Sequence, residues 1–429
     1  MAEQPLHVLI KEVPAVAGRV SVRVEKGRAT VQVDFSVMQD PRFFERFLKG
    51  RPAVYVPHVM SRICGVCSVA HLTCSISAVE RALGVEPKPE VLALRELAKG
   101  FEIVQNNLVH FLMALPDYVE SRDVVQFSKS HPELFTKLMD LNRRVLNAYR
   151  RICGRFIHTP SLGVASHNKP ITRRELEYVG KEMSRVSGEL TDLASSLADV
   201  WSPVAQGFKD PAPNFCALNS SGRVYPMFAR ELLFSDGLVV SAERYGEVIE
   251  EHKPIHSNAK IALYRGRPFY VGSRARLQAH SSLLTDEARS LIRTLAVDFT
   301  NPFDNVKAQY VEAAYLSALL AEKALELASQ LKSGVAHFHV DKVPCANGEG
   351  VGLAEAPRGV LIHHYRIRDG KLECANVITP TVMNARHIEV VGEALVPWAL
   401  SREASEAQVR GLVAALVRAY DPCLPCSVH

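Results

Sequence analysis

Polar and apolar residues alternate strictly over residues 18–35, GRVSVRVEKGRATVQVDF. Val20, Val22 and Val24 occupy every second position, and Val31, Val33 and Phe35 resume the pattern after Lys26-Gly27. That period of two predicts an N-terminal β-hairpin within residues 1–37. Beyond it the period lengthens. Apolar residues recur at three- and four-residue spacing over 65–84, 89–115, 133–153, 172–206, 284–298, 305–332 and 403–419, which predicts seven helices. Alternation returns in RGVLIHHYRIRDGKLECANVI, residues 358–378, with Asp369-Gly370 as a hairpin turn. Residues 208–280 mix Gly, Pro and short alternating runs and read as an irregular insertion with small sheets. With no internal repeat, low-complexity tract or linker, the pattern predicts one domain over 1–429, mainly α with small β-hairpins.

Composition narrows the class. The chain has 429 residues, 47% hydrophobic and 23% charged, as in an ordinary globular protein. A formal charge of +5, without basic runs interleaved with aromatics, gives no sign of nucleic-acid binding. No apolar run reaches the roughly 18 residues of a spanning helix. Residues 1–11 lack the apolar segment of an export signal. A soluble cytoplasmic protein is therefore expected, and nine cysteines in such a chain point to metal-bound or reactive thiols over a disulfide framework.

Four of those cysteines are paired. SRICGVCSVAH holds Cys64 and Cys67 with His71 four residues on, and the chain ends in DPCLPCSVH with Cys423 and Cys426. If a helix starts at Gly65, positions 64, 67 and 71 share a face and the first thiol lies at the helix N-terminus, where thiolate is favoured over thiol. In the second pair, Pro422 and Pro425 stiffen a turn. Two C-x-x-C pairs offer four thiolates. Zinc knuckles pair such motifs with about 15–20 residues between them, whereas here 356 positions separate Cys67 from Cys423. A thioredoxin-like redox pair needs a βαβ context that neither motif has. A dedicated soft-metal site, for which nickel is well suited, remains beside the zinc and redox alternatives.

Taken with EAPRG and TPTVMN between them, the two cysteine motifs resemble those of the [NiFe] hydrogenase large subunit. The four matches span nearly the whole chain in order. The complex I subunit of the same fold lacks these metal-binding cysteines. The resemblance therefore implies that family's mainly α fold and the reaction H₂ ⇌ 2H⁺ + 2e⁻. It leans toward the cytoplasmic, multi-subunit group, with any membrane association made through partners.

The resemblance also distributes roles. Cys64 and Cys423 look like terminal nickel ligands, and Cys67 and Cys426 like bridges to an iron carrying carbon monoxide and cyanide. Cys423 is implied as the first proton acceptor, with the Arg358 guanidinium as the alternative and Asp421 orienting Arg358 or moving protons. Arg358 and Thr381 are implied to donate hydrogen bonds to the cyanides, with Pro357 as a further contact to the cofactor. By position alone, Arg358 in a Pro-Arg-Gly turn is a solvated surface residue. His71 is implied as a donor to the bridging sulfur of Cys67, although a lone helix-face His is ordinarily a packing residue. Glu45 in RFFERFLKGR, His429 and the carbonyl near Val377 are implied ligands of a magnesium or iron ion; by itself Glu45 reads as a solvated helix-face carboxylate. Cys74, Cys153, Cys216, Cys345 and Cys374 read as small buried apolar residues. His363-His364 and the HFH at 337–339 read as strand or loop residues without carboxylate or thiol company. Without further cysteine clusters for a relay, electrons are expected to leave through a small subunit carrying iron–sulfur clusters, with further electron-transfer subunits beyond it.

The match has gaps. The family's Arg-x-Glu-Gly-His before the first hairpin is missing: an ungapped alignment at residues 19–25 puts Ala15 at the Glu position, between Pro14 and Val16, with Glu12 the nearest carboxylate. Asn106 stands where many relatives have Asp, and GRFIHTPSLGVAS lacks paired glycines. These gaps touch the proton route and give weight to a hydrogen sensor with little turnover as the alternative. A structural scaffold with a vestigial centre is a third reading. In relatives a C-terminal extension is cut after the His of D-P-C-x-x-C-x-x-H, and the chain's end at His429 is expected to arise that way.

Overall fold

Three long helices, Pro89–Ala114, Arg173–Val200 and Asn305–Gln330, form the centre of the computed structural model. It describes residues 6–9, 18–24, 31–119, 121–220, 225–331, 335–338 and 343–429. Helix Asn305–Gln330 packs along both others and is buried on almost every side, because its alanines let neighbouring backbones approach. Thr172 and Glu175 close a reciprocal capping box at the start of Arg173–Val200. Helices dominate, and the sheets are small and antiparallel. No described helix is long and apolar enough to cross a membrane.

The N-terminal alternation forms the expected pair. Strands Gly18–Val24 and Val31–Val37 are antiparallel, with Val20 opposite Phe35, Val22 opposite Val33 and Val24 opposite Val31. A third strand, Leu6–Leu9, joins them; the turn at Lys26-Gly27 lies outside the described residues. Each of the seven predicted helices has a counterpart, with ends that differ. Residues 172–206, for example, stop being helical at Val200, and 284–298 shrinks to Asp286–Thr294. Among its described residues the predicted irregular insertion holds short strands, a 3₁₀ helix, Ala242–Glu247, and an α-helix, Ser273–Ala279.

Two of the elements that went unread shape the site. Helix Pro380–Leu400 is apolar on most sides and so shows no single stripe, and residues 358–378 form two strands of a three-stranded sheet, not an isolated hairpin. The extra strand is Gly348–Ala356, which lies across helix Ser68–Leu83. Its alternate glycines make that contact possible. A Cβ at Gly348, Gly350 or Gly352 would lie 1.9, 2.3 or 2.0 Å from the carbonyl oxygens of Ala82, Ala78 and Cys74. Only hydrogen fits there, so backbone meets backbone. This strand runs on to Arg358, and the helix begins beside Cys67, so the glycine stripe sets the spacing of the two halves of the site.

Candidate metal centre

The first cysteine pair is built on a turn and a helix end. A short helix, Val56–Met60, runs into a tight turn at Ser61–Ile63, and Cys64 follows in extended conformation at φ −145°, ψ 144°. Helix Ser68–Leu83 starts three residues later than expected, with Cys67 as its N-cap. Cys64 therefore sits ahead of the helix and shares no helical face with Cys67 and His71. The backbone N–H groups of Val69 and Ala70 donate to the Glu102 carboxylate at 2.6 and 2.9 Å. The buried Lys99 ammonium, 2.9 Å from that carboxylate, balances its charge. A carboxylate on a helix N-terminus satisfies free donors and the helix dipole together.

The second pair owes its position to distant residues. Asp421 takes a left-handed φ of 49° and turns the tail inward; Asp tolerates that region better than most residues. Cys423 then caps a single helical turn, Leu424–Ser427, where a plain turn was expected. The backbone N–H of Cys423 donates to Thr381 Oγ1 at 2.8 Å. Arg42 clasps both loops. Its Nη2 donates to the Ile63 carbonyl at 2.6 Å and also to the Pro425 carbonyl, while its backbone N–H donates to Val428 at 2.9 Å. His429 Nδ1 and Nε2 lie 2.7 and 2.8 Å from the carbonyls of Cys426 and Val377.

These supports bring together four buried sulfurs. Cys64 and Cys423 are 3.4 Å apart, Cys67 and Cys426 3.1 Å, and Cys423 and Cys426 2.8 Å. All are longer than the roughly 2 Å of a disulfide, and all four ligand atoms lie within 4.8 Å of one another. Among the described residues no other three His, Cys, Asp or Glu side chains converge in this way. Hydrogen bonds from Cys423, Cys426 and Cys67, helped by the Arg358 charge, hold the Cys64 thiol well below its ordinary pKa. Cys67 is driven well above by its place against Cys423, and Cys426 by burial. Without a cation the cluster therefore does not carry four negative charges. Soft divalent metal reverses this, since a coordinated thiol loses its proton.

Arg358 is buried beside the sulfurs. Its Nε donates to the Asp421 carbonyl at 2.5 Å and its Nη2 to Asp421 Oδ1 at 2.8 Å. Its Nη1 is buried without a partner, an expensive state for an ionised donor. Arg358, Pro380 and Thr381 line a small cavity with Cys67, Cys423 and Cys426. Pro357 stands behind, its carbonyl accepting from Arg276 Nη2 at 3.0 Å. Arg276 is almost wholly buried, pairs with Glu312 and Glu355 at 2.7 and 2.9 Å, and also donates to the Ala356 carbonyl. This support was not read from the sequence, where Arg276 resembles any arginine of a polar run. Asn106 joins the set by donating to Asp421 Oδ2 at 2.9 Å. A cavity walled by thiolates on one side and a free guanidinium N–H on the other fits a soft metal bearing small anionic ligands.

The other predicted positions divide. Glu45 accepts from the Val377 N–H at 2.7 Å and lies 3.7 Å from His429 Nε2, so those three groups do meet. Glu12, Pro14, Ala15, Val16 and His339 lie outside the described residues. Cys74, Cys153 and Cys216 are buried as expected, but Cys345 and Cys374 are exposed. Of the two neighbouring histidines, His364 has a carboxylate beside it, against expectation, whereas His363 meets another imidazole. His364 Nε2 is 2.6 Å from Glu349 Oε1, and His363 Nε2 is 3.0 Å from His71 Nδ1. Strand register makes both meetings, and single-residue reading has no access to it.

The chain is similar to known proteins over most of its length. The sequence profile described as nickel-dependent hydrogenase matches residues 42–159 and 239–429. The chain is 30% identical over 419 residues to sulfhydrogenase 2 subunit alpha of Pyrococcus furiosus, covering 96% of each chain. It is 28% identical to sulfhydrogenase 1 subunit alpha of the same organism, covering 99% of this chain and 98% of the other. Among solved structures, an NAD⁺-reducing [NiFe]-hydrogenase in the H₂-reduced state superposes with a TM-score of 0.84 at 21% identity, over the full length of both chains.

Proposed function

This chain belongs to the nickel-dependent hydrogenase family, and we propose that its four cysteines hold a nickel–iron pair in the roles the motifs imply. It is the catalytic subunit of a [NiFe] hydrogenase, an oxidoreductase acting on hydrogen. In this reading Cys64 and Cys423 would hold nickel, and Cys67 and Cys426 would serve both nickel and an iron carrying carbon monoxide and cyanide. When bound, the metals act as Lewis acids toward H₂ and accept its electrons.

The protein's own groups supply the rest. The unpartnered Nη1 of Arg358 and the Thr381 hydroxyl donate hydrogen bonds to the cyanides, and Pro380 gives the cavity an apolar wall. Cys423 Sγ takes the first proton. Arg358, held in place by Asp421, is the alternative acceptor, and Asn106 orients Asp421 from the far side. Glu45, His429 and the Val377 carbonyl hold a magnesium or iron ion that fastens the tail. Electrons leave to a small subunit with iron–sulfur clusters in a cytoplasmic, multi-subunit enzyme. The sulfhydrogenase relatives, each named as an alpha subunit, support a heteromeric assembly.

One observation carries the reading: two C-x-x-C motifs from opposite ends of the chain meet as four buried sulfurs within 4.8 Å. Metal analysis of the purified complex tests it. One nickel per chain is expected, with near-complete loss in Cys64→Ser and in Cys426→Ser. Zinc at full occupancy in active, unmutated protein would sink the assignment.

A further inference from the structure

Three successive residues at the root of the tail are each held from a different part of the chain. Helix Glu406–Ala419 ends where the tail begins, and its last carbonyls have no partner inside the helix. The Ala419 carbonyl accepts from Asn305 Nδ2 at 2.7 Å. The Tyr420 hydroxyl lies 2.6 Å from His387 Nδ1. Asp421, the left-handed turn, is held by Arg358 through its carbonyl and its carboxylate. The first two of these anchors have no part in the roles above. Tyr420 and His387 are both buried, so neither can replace a lost partner with water at no cost.

The anchors are linked to one another. His387 Nε2 lies 2.8 Å from the Ala212 carbonyl and 3.2 Å from Asp210 Oδ1. A carbonyl can only accept, so Nε2 carries a hydrogen. The Tyr420 hydroxyl can donate to a bare Nδ1 or accept from a protonated one, so its bond to His387 survives either charge state of the ring. Asp210 Oδ1 also accepts from the Ala212 N–H at 3.0 Å, and Oδ2 from Arg274 Nη2 at 2.6 Å. The Arg274 guanidinium lies over the Tyr270 ring, 3.7 Å from its centroid, and the Arg274 backbone N–H donates to Asn305 Oδ1 at 3.0 Å. The network therefore runs from Tyr420 through His387, Asp210, Arg274 and Asn305 back to Ala419. Asp210, Ala212, Tyr270 and Arg274 all belong to residues 208–280, the irregular insertion. His387 stands on helix Pro380–Leu400, six residues after Thr381, whose hydroxyl accepts from the Cys423 N–H. One helix thus grips the tail at its root and at its first thiol.

Each residue turns about two soft dihedrals, so the direction in which the tail leaves the helix is decided at Tyr420 and Asp421. Resting on the four-cysteine reading above, we propose that Tyr420 and His387 are positioning residues whose bond fixes the exit of the tail and so brings Cys423 and Cys426 onto the first cysteine pair. The bond acts at the hinge, whereas Arg42 and His429 hold the tail farther along. The insertion, through Asp210, Ala212 and Arg274, supplies the socket in which that hinge is seated.

Hydrogen exchange in the assembled complex tests this, with nickel release to a chelator measured on the same samples. In Tyr420→Phe the ring still fills its place and only the hydroxyl is lost. Exchange in residues 422–429 and nickel release are each expected to quicken about tenfold, while exchange in helix Ser68–Leu83 keeps its unmutated rate. His387→Leu should quicken the tail at least as much, and the double variant should be no faster than His387→Leu alone, because the two changes remove one bond. His387→Asn, whose amide oxygen can accept from the hydroxyl in place of Nδ1, should recover part of the loss. Should His387→Leu fail to assemble, Tyr420→Phe decides. Unchanged tail exchange in Tyr420→Phe, effects that multiply in the double variant, or equal quickening of the tail and of Ser68–Leu83 would each reduce the contact to packing and overturn the proposal. Absence of nickel from unmutated protein would instead overturn the four-cysteine reading, and tail exchange would still judge the hinge.

Discussion

Cys64 and Cys67 precede a 16-residue helix, whereas Cys423 and Cys426 occupy a turn whose helical part is 4 residues long. The first pair is held by its own surroundings in the fold's interior: a capping position, the Glu102 carboxylate on the next N–H groups, and a glycine-striped strand along the helix. The second pair has almost no local structure. Arg42, Arg358, Val377 and Thr381 each hold it from elsewhere. One spacing motif is thus realised as a rigid platform at one end of the chain and as a tethered lid at the other. Because the lid depends on contacts made across the molecule, it is the half whose closure other residues can control.

Breaking the platform should have the larger effect. In Gly352→Ala the new Cβ falls 2.0 Å from the Cys74 carbonyl, where both neighbours are backbone and neither can yield cheaply. A loss of about 1–3 kcal/mol or more is expected for such overpacking. It should appear as a lower thermal midpoint of the whole chain, and an unchanged midpoint would remove the glycine stripe as the reason for the close approach.

Arg42→Ala removes the clasp that ties the lid to the platform. Two carbonyls lose a charged donor, at about 1.5–3 kcal/mol for such bonds, and the effect should stay local. Hydrogen exchange in residues 422–429 should quicken and nickel should leave faster to a chelator, with the global midpoint little changed. Arg42→Lys should recover part of this, since one ammonium can still reach a carbonyl. Equal exchange in the two cysteine segments would contradict the distinction between platform and lid.

A smaller effect is expected from His429→Ala, which removes two hydrogen bonds at about 1 kcal/mol each. Tail exchange should rise while that of Ser68–Leu83 does not. The smallest effect concerns acid. Burial raises the Glu45 pKa, but His429 and the Val377 N–H outweigh it and leave the group below its ordinary value of 4.5. Its contribution is therefore complete above that value and is lost as pH falls through the lowered one. Exchange of the tail should quicken there before that of the platform, and Glu45→Gln should abolish the difference.

The sequence disclosed a good deal of this. Alternation predicted the two N-terminal strands that hold Val20, Val22 and Val24 and Val31, Val33 and Phe35, because period two is a local property of the chain, but not which residue faces which. Helical spacing located seven helices for the same reason. Helix Pro380–Leu400 escaped because burial on most sides erases the stripe, and strand Gly348–Ala356 escaped because glycines carry no pattern. At the site, the motif resemblance named the four cysteines, Arg358 and Thr381, which the fold brings together, and Glu45 and His429, which meet each other at Val377. Spacing alone left zinc, redox and nickel open. Arg42, Arg276 and His363 were missed because nothing near them in sequence shows what they touch.

By itself, then, the sequence determined periodicity, turn chemistry and the supply of thiols, all of which depend on neighbours a few residues away. Tertiary structure alone decided which groups meet: Arg42 with the carbonyls of Ile63 and Pro425, Arg276 behind Pro357, and His363 against His71. Those meetings turn on register and close approach between distant elements, and a strand shifted by one residue would turn His363 away from His71.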